Sequence, residues 1–274
     1  MDGNGCLQKS LYLTMLKQQA MKLISYSCGI VAYECLLTGV YPTVVKSPAV
    51  AEIVDSFPSS VKGIFGVSTN TKSVSFEAYI SGQFFSRIWT LIMSIYGINT
   101  ADALVAKLVE NGFMSFPLST PVARTTIMVT QIAVLLTGFA LLTGVTILGL
   151  FGGATAARIA VDAWPYWRLG LLGFTFFSTI GAYNMLFSAL FNEERQTLLS
   201  GAVLTFVFYG LDVIARINPK FSTLGKFTVF GLFRVQDLLE GKVDSGESTV
   251  LLAGLALGLY VLSVLVFAVK DIPV

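Results

Sequence analysis

The sequence predicts an all-α polytopic membrane protein with six transmembrane helices, an N-terminal interfacial helix and a re-entrant segment before the last helix. Two observations carry this. Hydrophobic residues make up 54% of the 274 positions and charged residues only 12%, about half the charge of an ordinary soluble domain, and mean hydropathy is +0.75. Long apolar stretches also recur, and about 20 such residues span a hydrocarbon core. A single membrane domain over 1–274 accounts for the length.

Residues 7–20 place Leu7, Leu11, Met15 and Leu16 on one helical face, with Lys9 and Lys17 off it. This is the pattern of a helix lying in the headgroups rather than the charged region of a cleaved signal. The first span, 23–41, contains Glu34. The second, 81–104, contains Arg87 and Asp102. Spans 127–151 and 169–191 carry no charge, nor does the last, 249–269. The fifth, 197–216, holds Asp212 and Arg216, whose i, i+4 spacing predicts a mutual pair. Rise per residue places Glu34 and Arg87 about 10 and 9 Å below the same end of the bundle, which predicts that they pair with each other. The alternatives are a Glu34 that meets a cationic substrate and one hydrogen-bonded locally.

The connection 42–80 contains Pro42, Pro48 and Pro58 and reads as an external loop with a short amphipathic helix at 48–56. The connection 217–248 begins with Phe221, Leu224, Phe227, Val229, Phe230, Leu232 and Phe233. It is too interrupted to span and reads as re-entrant or interfacial. Lysines are divided between the two sides. Those that enter the first helix, Lys9, Lys17 and Lys22, favour cytoplasmic termini.

Several function classes are excluded. The chain has no histidine, so it can build neither a Ser-His-Asp triad nor an HExxH zinc site, and no phospho-histidine can form. A net charge of +2 gives no concentrated basic face for nucleic acid. Cys28 and Cys35 are seven residues apart, about 10 Å along a helix, too far for a disulfide, so they and Cys6 read as small apolar residues. No phosphate-binding loop is present: Lys226 and Lys242 each follow a glycine, but neither is followed by Ser or Thr. Gly149 with Gly153, and Gly254 with Gly258, have the spacing that lets helices approach closely in lipid, here within one chain.

The segment 107–124 is the most informative. Lys107 and Glu110 lead to Gly112, then to the apolar Phe113, Met114, Phe116 and Leu118, then to Pro121 and Arg124. It could be a plain interhelical loop, but such a loop rarely shows so many large apolar side chains unless a partner covers them. The run Glu110, Gly112, Leu118, Pro121, Val122, Arg124 and Ile127 resembles the cytosolic coupling segment of type 2 ABC exporter permeases, the membrane subunits of bacterial exporters with a separate ATPase. Tyr41-Pro42 with Phe65-Gly66 resembles that family's first external loop. The run 76–89 resembles its approach to the second span, and Lys270-Asp271 its charged end. This sequence carries fewer charges in the coupling segment than many members.

The resemblance covers essentially the whole chain and implies a permease subunit with no catalytic, cofactor or metal site of its own. A cytosolic ABC ATPase would bind ATP and Mg. A second permease chain and membrane lipid would complete the setting, in a bacterial cytoplasmic membrane. Glu110, Gly112, Phe113, Phe116, Leu118, Pro121 and Arg124 would contact the ATPase. The apolar spans suit a hydrophobic or amphipathic substrate. The rival readings are a secondary transporter and a membrane-embedded protein, enzyme or accessory, with no ATPase partner.

Overall fold

A computed structural model describes residues 3–46, 75–113, 123–217, 221–225, 228–239 and 241–270. Six helices are long and apolar enough to cross a membrane. They are α1 (Gly3–Lys46), α2 (Phe76–Glu110), α3 (Arg124–Ala156), α4 (Ala163–Leu190), α5 (Glu194–Ile217) and α6 (Gly246–Val269). No strand occurs among the described residues. Each helix begins before the stretch its apolar residues alone predict, because its first turns continue the same backbone, while α4 and α6 end within a residue of the predicted 191 and 269.

The expected division between an interfacial helix at 7–20 and a span at 23–41 is not observed. α1 runs through both without a break. The junction Gln18-Gln19-Ala20-Met21-Lys22-Leu23 contains only good helix formers and nothing to stop it. Met15 and Gln19 are buried, and the Tyr12 hydroxyl lies 2.8 Å from Thr137 Oγ1 on α3. The proposed helix at 48–56 lies outside the described residues.

α4 is the central helix, buried from Leu172 to Met185 almost without interruption. It packs along α6, α2 and α3, while α1 lies on α3. Glycines set the close approaches. A Cβ on Gly173 would sit 2.2 Å from the Trp89 ring, and one on Gly138 would run into the Tyr96 hydroxyl. On α3, Gly149 faces Val31 and Glu34 of α1, and Gly153 faces Thr38, so this glycine pair works within the chain. Gly254 and Gly258 on α6 face open space, beside exposed Leu251, Leu255, Leu257 and Leu262.

α2 is irregular at two places. From Ser81 to Trp89 it is a π-helix, and the Thr90 hydroxyl donates to the Phe85 carbonyl at 2.9 Å. At Val105 (φ −130°, ψ −71°) it breaks before the short helix Ala106–Glu110. Ser188 of α4 bridges that break: its hydroxyl donates to the Ala101 carbonyl at 3.0 Å and accepts from the Ala106 amide at 2.9 Å. Backbone groups left unsatisfied inside an apolar bundle would cost several kcal/mol each.

Between α5 and α6 the chain forms short pieces, Ser222–Gly225, a 3₁₀ turn Val229–Leu232 and Val235–Leu239. They are not outside the bundle. Phe233 stacks on Phe176 at 4.3 Å with an interplanar angle of 6°, and Phe176 lies thirteen residues, about 20 Å, into α4.

A methyl group at position 173 should therefore be costly. Gly173→Ala should lower stability by about 1–3 kcal/mol, read as the midpoint of thermal unfolding in detergent. Gly144→Ala, where nothing lies within 4 Å, should be neutral or stabilising by up to about 1 kcal/mol. Equal midpoints for the two variants would contradict this packing.

Candidate functional site

Of the residues expected to couple to an ATPase, the described ones, Glu110, Gly112, Phe113 and Arg124, lie at the ends of the helices Ala106–Glu110 and α3. Lys107 Nζ contacts Glu194 Oε1 at 3.0 Å, linking the end of α2 to the start of α5. Glu110 accepts a hydrogen bond from the Glu194 amide, which satisfies an open donor at the α5 N-terminus and places negative charge where the helix dipole favours it. Gly112 adopts φ +70°, the left-handed conformation that ends a helix readily only at glycine. Phe113 follows and is exposed. Phe116, Leu118 and Pro121 lie outside the described residues.

Arg124 opens α3 and donates from Nη1 to the Lys270 carbonyl at 2.8 Å, while Lys270 Nζ donates to the Phe191 carbonyl at 2.9 Å. Partial burial pushes the Lys270 ammonium below the usual lysine range. Polar links thus join α2 to α5 and α3 to α6 and the α4–α5 turn. Ser188, which sequence reasoning missed, holds the short helix Ala106–Glu110 to α4. A serine within an apolar span is the only signal it offers in the sequence.

The four intramembrane charges do not form one group. Asp212 and Arg216 pair as expected, Arg216 Nε to Asp212 Oδ2 at 2.7 Å. The expected Glu34–Arg87 pair is not formed. Glu34 is fully buried on α1 with neither carboxylate oxygen hydrogen-bonded, and it faces Gly149 of α3. Arg87 instead lines a cavity of about 280 Å³ with Asp212, Arg216, Tyr209 and Gln236. Equal depth along two helices fixes height, not the direction a side chain takes around the axis. Asp102 is also buried, and its Oδ1 has no hydrogen-bond partner.

The cavity lies between the π-helical stretch of α2, the last two turns of α5 and the 3₁₀ turn with the residues after it. Phe230 and Phe233 complete its wall. π-Helical insertions concentrate at functional sites. Here Gly82, Ser86, Arg87 and Thr90 all reach the cavity. The run Ser81–Trp89 carries no composition that announces i→i+5 bonding, so sequence reasoning did not find it. No group of three or more potential metal ligands occurs among the described residues.

No protein-family profile matches this chain, and no curated protein does.

Because Glu34 has no partner, removing its charge should be tolerated. Glu34→Gln fills nearly the same space with no charge to desolvate, and its folded yield should equal or exceed wild type. Glu34→Arg should lower the yield, and adding Arg87→Glu should not restore it. Recovery in the double variant, measured by size-exclusion yield, would reinstate the pair.

Proposed function

We propose that this chain is the transmembrane permease subunit of an ATP-driven ABC exporter of the type 2 class. It would move a hydrophobic or amphipathic substrate across a bacterial cytoplasmic membrane, with both termini cytoplasmic. The observation that carries the reading is the short helix Ala106–Glu110 with exposed Phe113. Ser188 ties this helix to α4 and Glu194 ties it to α5. A cytosolic ATPase pressing on it would move two long helices at once, the kind of rigid-element shift by which binding at one site changes another. The resemblance of 107–127 to the coupling segment of that family supports the same assignment.

Membrane placement has its own support. Trp164 and Trp167 are exposed at the far end of the bundle, where aromatic belts meet the headgroups. α5 and α6 turn mostly apolar side chains outward, among them Val203, Phe206, Leu257 and Leu265. On this reading the short pieces of 221–239 form a re-entrant segment that enters from the outer face. A second permease chain would pair with this one.

One observation favours a second reading. Broken helices around a charged cavity at depth are a hallmark of secondary transporters. Transport in inside-out vesicles distinguishes the two: export that requires ATP supports the ABC reading, and export driven by an ion gradient alone supports the other.

The coupling surface gives a direct test. Phe113→Ser with Phe116→Ser should abolish co-purification with a co-expressed ABC ATPase partner, or leave ATP hydrolysis running without transport. Unchanged co-purification and transport would refute the assignment. For orientation, cysteines are introduced into a chain lacking Cys6, Cys28 and Cys35. Asn111→Cys should react with an impermeant thiol reagent only after permeabilisation, and Glu247→Cys in intact cells. The reverse pattern would place the termini outside.

A further inference from the structure

A second cavity lies between α4, the segment after α5 and the start of α6, and encloses about 450 Å³, within the range of small-molecule sites. Arg168 of α4 pairs with Asp244 just before α6. Leu172, in the cavity wall, lies about 8 Å along α4 from the exposed Trp167. On the membrane reading this is the level at which head groups meet the protein. The charged lining among the described residues is one guanidinium, Arg234, and one carboxylate, Glu247. Both are exposed, and they form no ion pair with each other.

The start of α6 supplies the other polar groups. The Gly246 amide donates to Asp244 Oδ1 at 3.2 Å. The first i→i−4 bond of α6 runs from the Thr249 amide to the Ser245 carbonyl at 2.9 Å. The amides of Glu247 and Ser248 lie between these and outside that ladder, at a helix end whose partial charge attracts anions. Ser245 is only 6% exposed, its hydroxyl makes no capping bond, and it lines the cavity with Ser248. Buried polar groups are normally hydrogen-bonded, so this hydroxyl stands as an open donor toward an occupant. Arg234 Nε donates to the Gly231 carbonyl at 3.3 Å, which orients the guanidinium and leaves its terminal N–H groups to bind.

We propose that this cavity binds the phosphoethanolamine head group of a membrane lipid. Arg234, Ser245, Ser248 and the open α6 amides hold the phosphate, and the Glu247 carboxylate holds the ammonium. One cation and one anion in the wall match a zwitterion. A carboxylate accepts hydrogen bonds from a primary ammonium, and a quaternary one has none to give. The lipid tail has a path as well. Leu251 lines the cavity, and Leu255, Gly258 and Leu262 continue its face of α6 at i+4, i+7 and i+11. Gly254 and Gly258 face open space between exposed leucines, which leaves a shallow trough for an acyl chain. The inference rests on membrane placement and needs neither an ATPase nor a particular orientation.

The full chain in phosphatidylcholine nanodiscs tests this. A phosphatidylethanolamine with a diazirine on the acyl carbons nearest its head should label peptides carrying Leu238 and Leu251 saturably, read by mass spectrometry. Unlabelled phosphatidylethanolamine with the same tails should compete. A phosphatidylcholine probe with the same diazirine should give about tenfold or more weaker competable labelling. Arg234→Gln and Glu247→Gln should each weaken the phosphatidylethanolamine by a similar factor, with Ser245→Ala between them and wild type. Glu247→Lys should move the preference to phosphatidylglycerol. The comparison of head groups needs no variant, so it decides even where a variant fails to fold. Equal competable labelling by both head groups, or a folded Arg234→Gln that labels as wild type, overturns the proposal. Displacement by millimolar glycerophosphoethanolamine would make the ligand a soluble head group and overturn the lipid. Displacement only by phosphatidylethanolamine supports it.

Discussion

Trp89 lies where three long helices and the broken segment meet. Its ring fills the notch left by Gly173 on α4 and stands edge-on to Phe177 at 4.8 Å. Its Nε1 donates to Thr146 Oγ1 of α3 at 3.0 Å, and Phe233 approaches from the segment after α5. An indole in an apolar core needs a partner for its N–H as well as space for its body. Gly173 supplies the space and Thr146 the acceptor, and the two fix how α2 and α3 sit on α4. Phe233 can then reach mid-depth only because Phe176 and Phe177 present ring faces and edges around the same centre.

The two irregularities of α2 follow from the same demand. A helix that widens or breaks within an apolar bundle exposes backbone groups that no water can satisfy. At the π stretch the Thr90 hydroxyl takes the Phe85 carbonyl. At Val105 the hydroxyl of Ser188 takes one carbonyl and gives its oxygen to one amide. Both repairs use a small hydroxyl residue that composition alone would call part of the span. They allow α2 to change direction near Lys107 while staying attached to α4.

The long helices were legible because charge-free apolar runs of sufficient length have one physical outcome in lipid. The run 127–151 needs nothing else. What the sequence did not reveal depended on direction around the helix axis or on hydrogen-bond register. Glu34 and Arg87 have matched depths, but Glu34 shares its face with Val31 and Thr38 and so turns to the glycines of α3. The interfacial helix was inferred from the lysines near Leu11 and Met15, and a change of polarity does not stop a helix without a residue that breaks it. The helix end near Gly112 was legible in the sequence, while the anchoring of the short helix Ala106–Glu110 through Ser188 and Glu194 depends on contacts more than eighty residues away in sequence.

α2 and α5 contribute to both ends of the molecule. α2 carries Arg87 at the cavity and Lys107 near its far end, twenty residues and about 30 Å apart. α5 carries Asp212 and Arg216 at one and Glu194 at the other. On the proposed reading, an ATPase that displaced Ala106–Glu110 would shift the same two helices whose far ends bear the arginines. A rigid α2 would pass the displacement on in full. The π stretch adds a place where hydrogen bonds can return from i→i+5 to i→i+4 register, and such a change would rotate Arg87 relative to Asp212 without moving Trp89 from its notch. The cavity's charge arrangement would then depend on the state of the coupling end, while the aromatic centre between them stayed fixed.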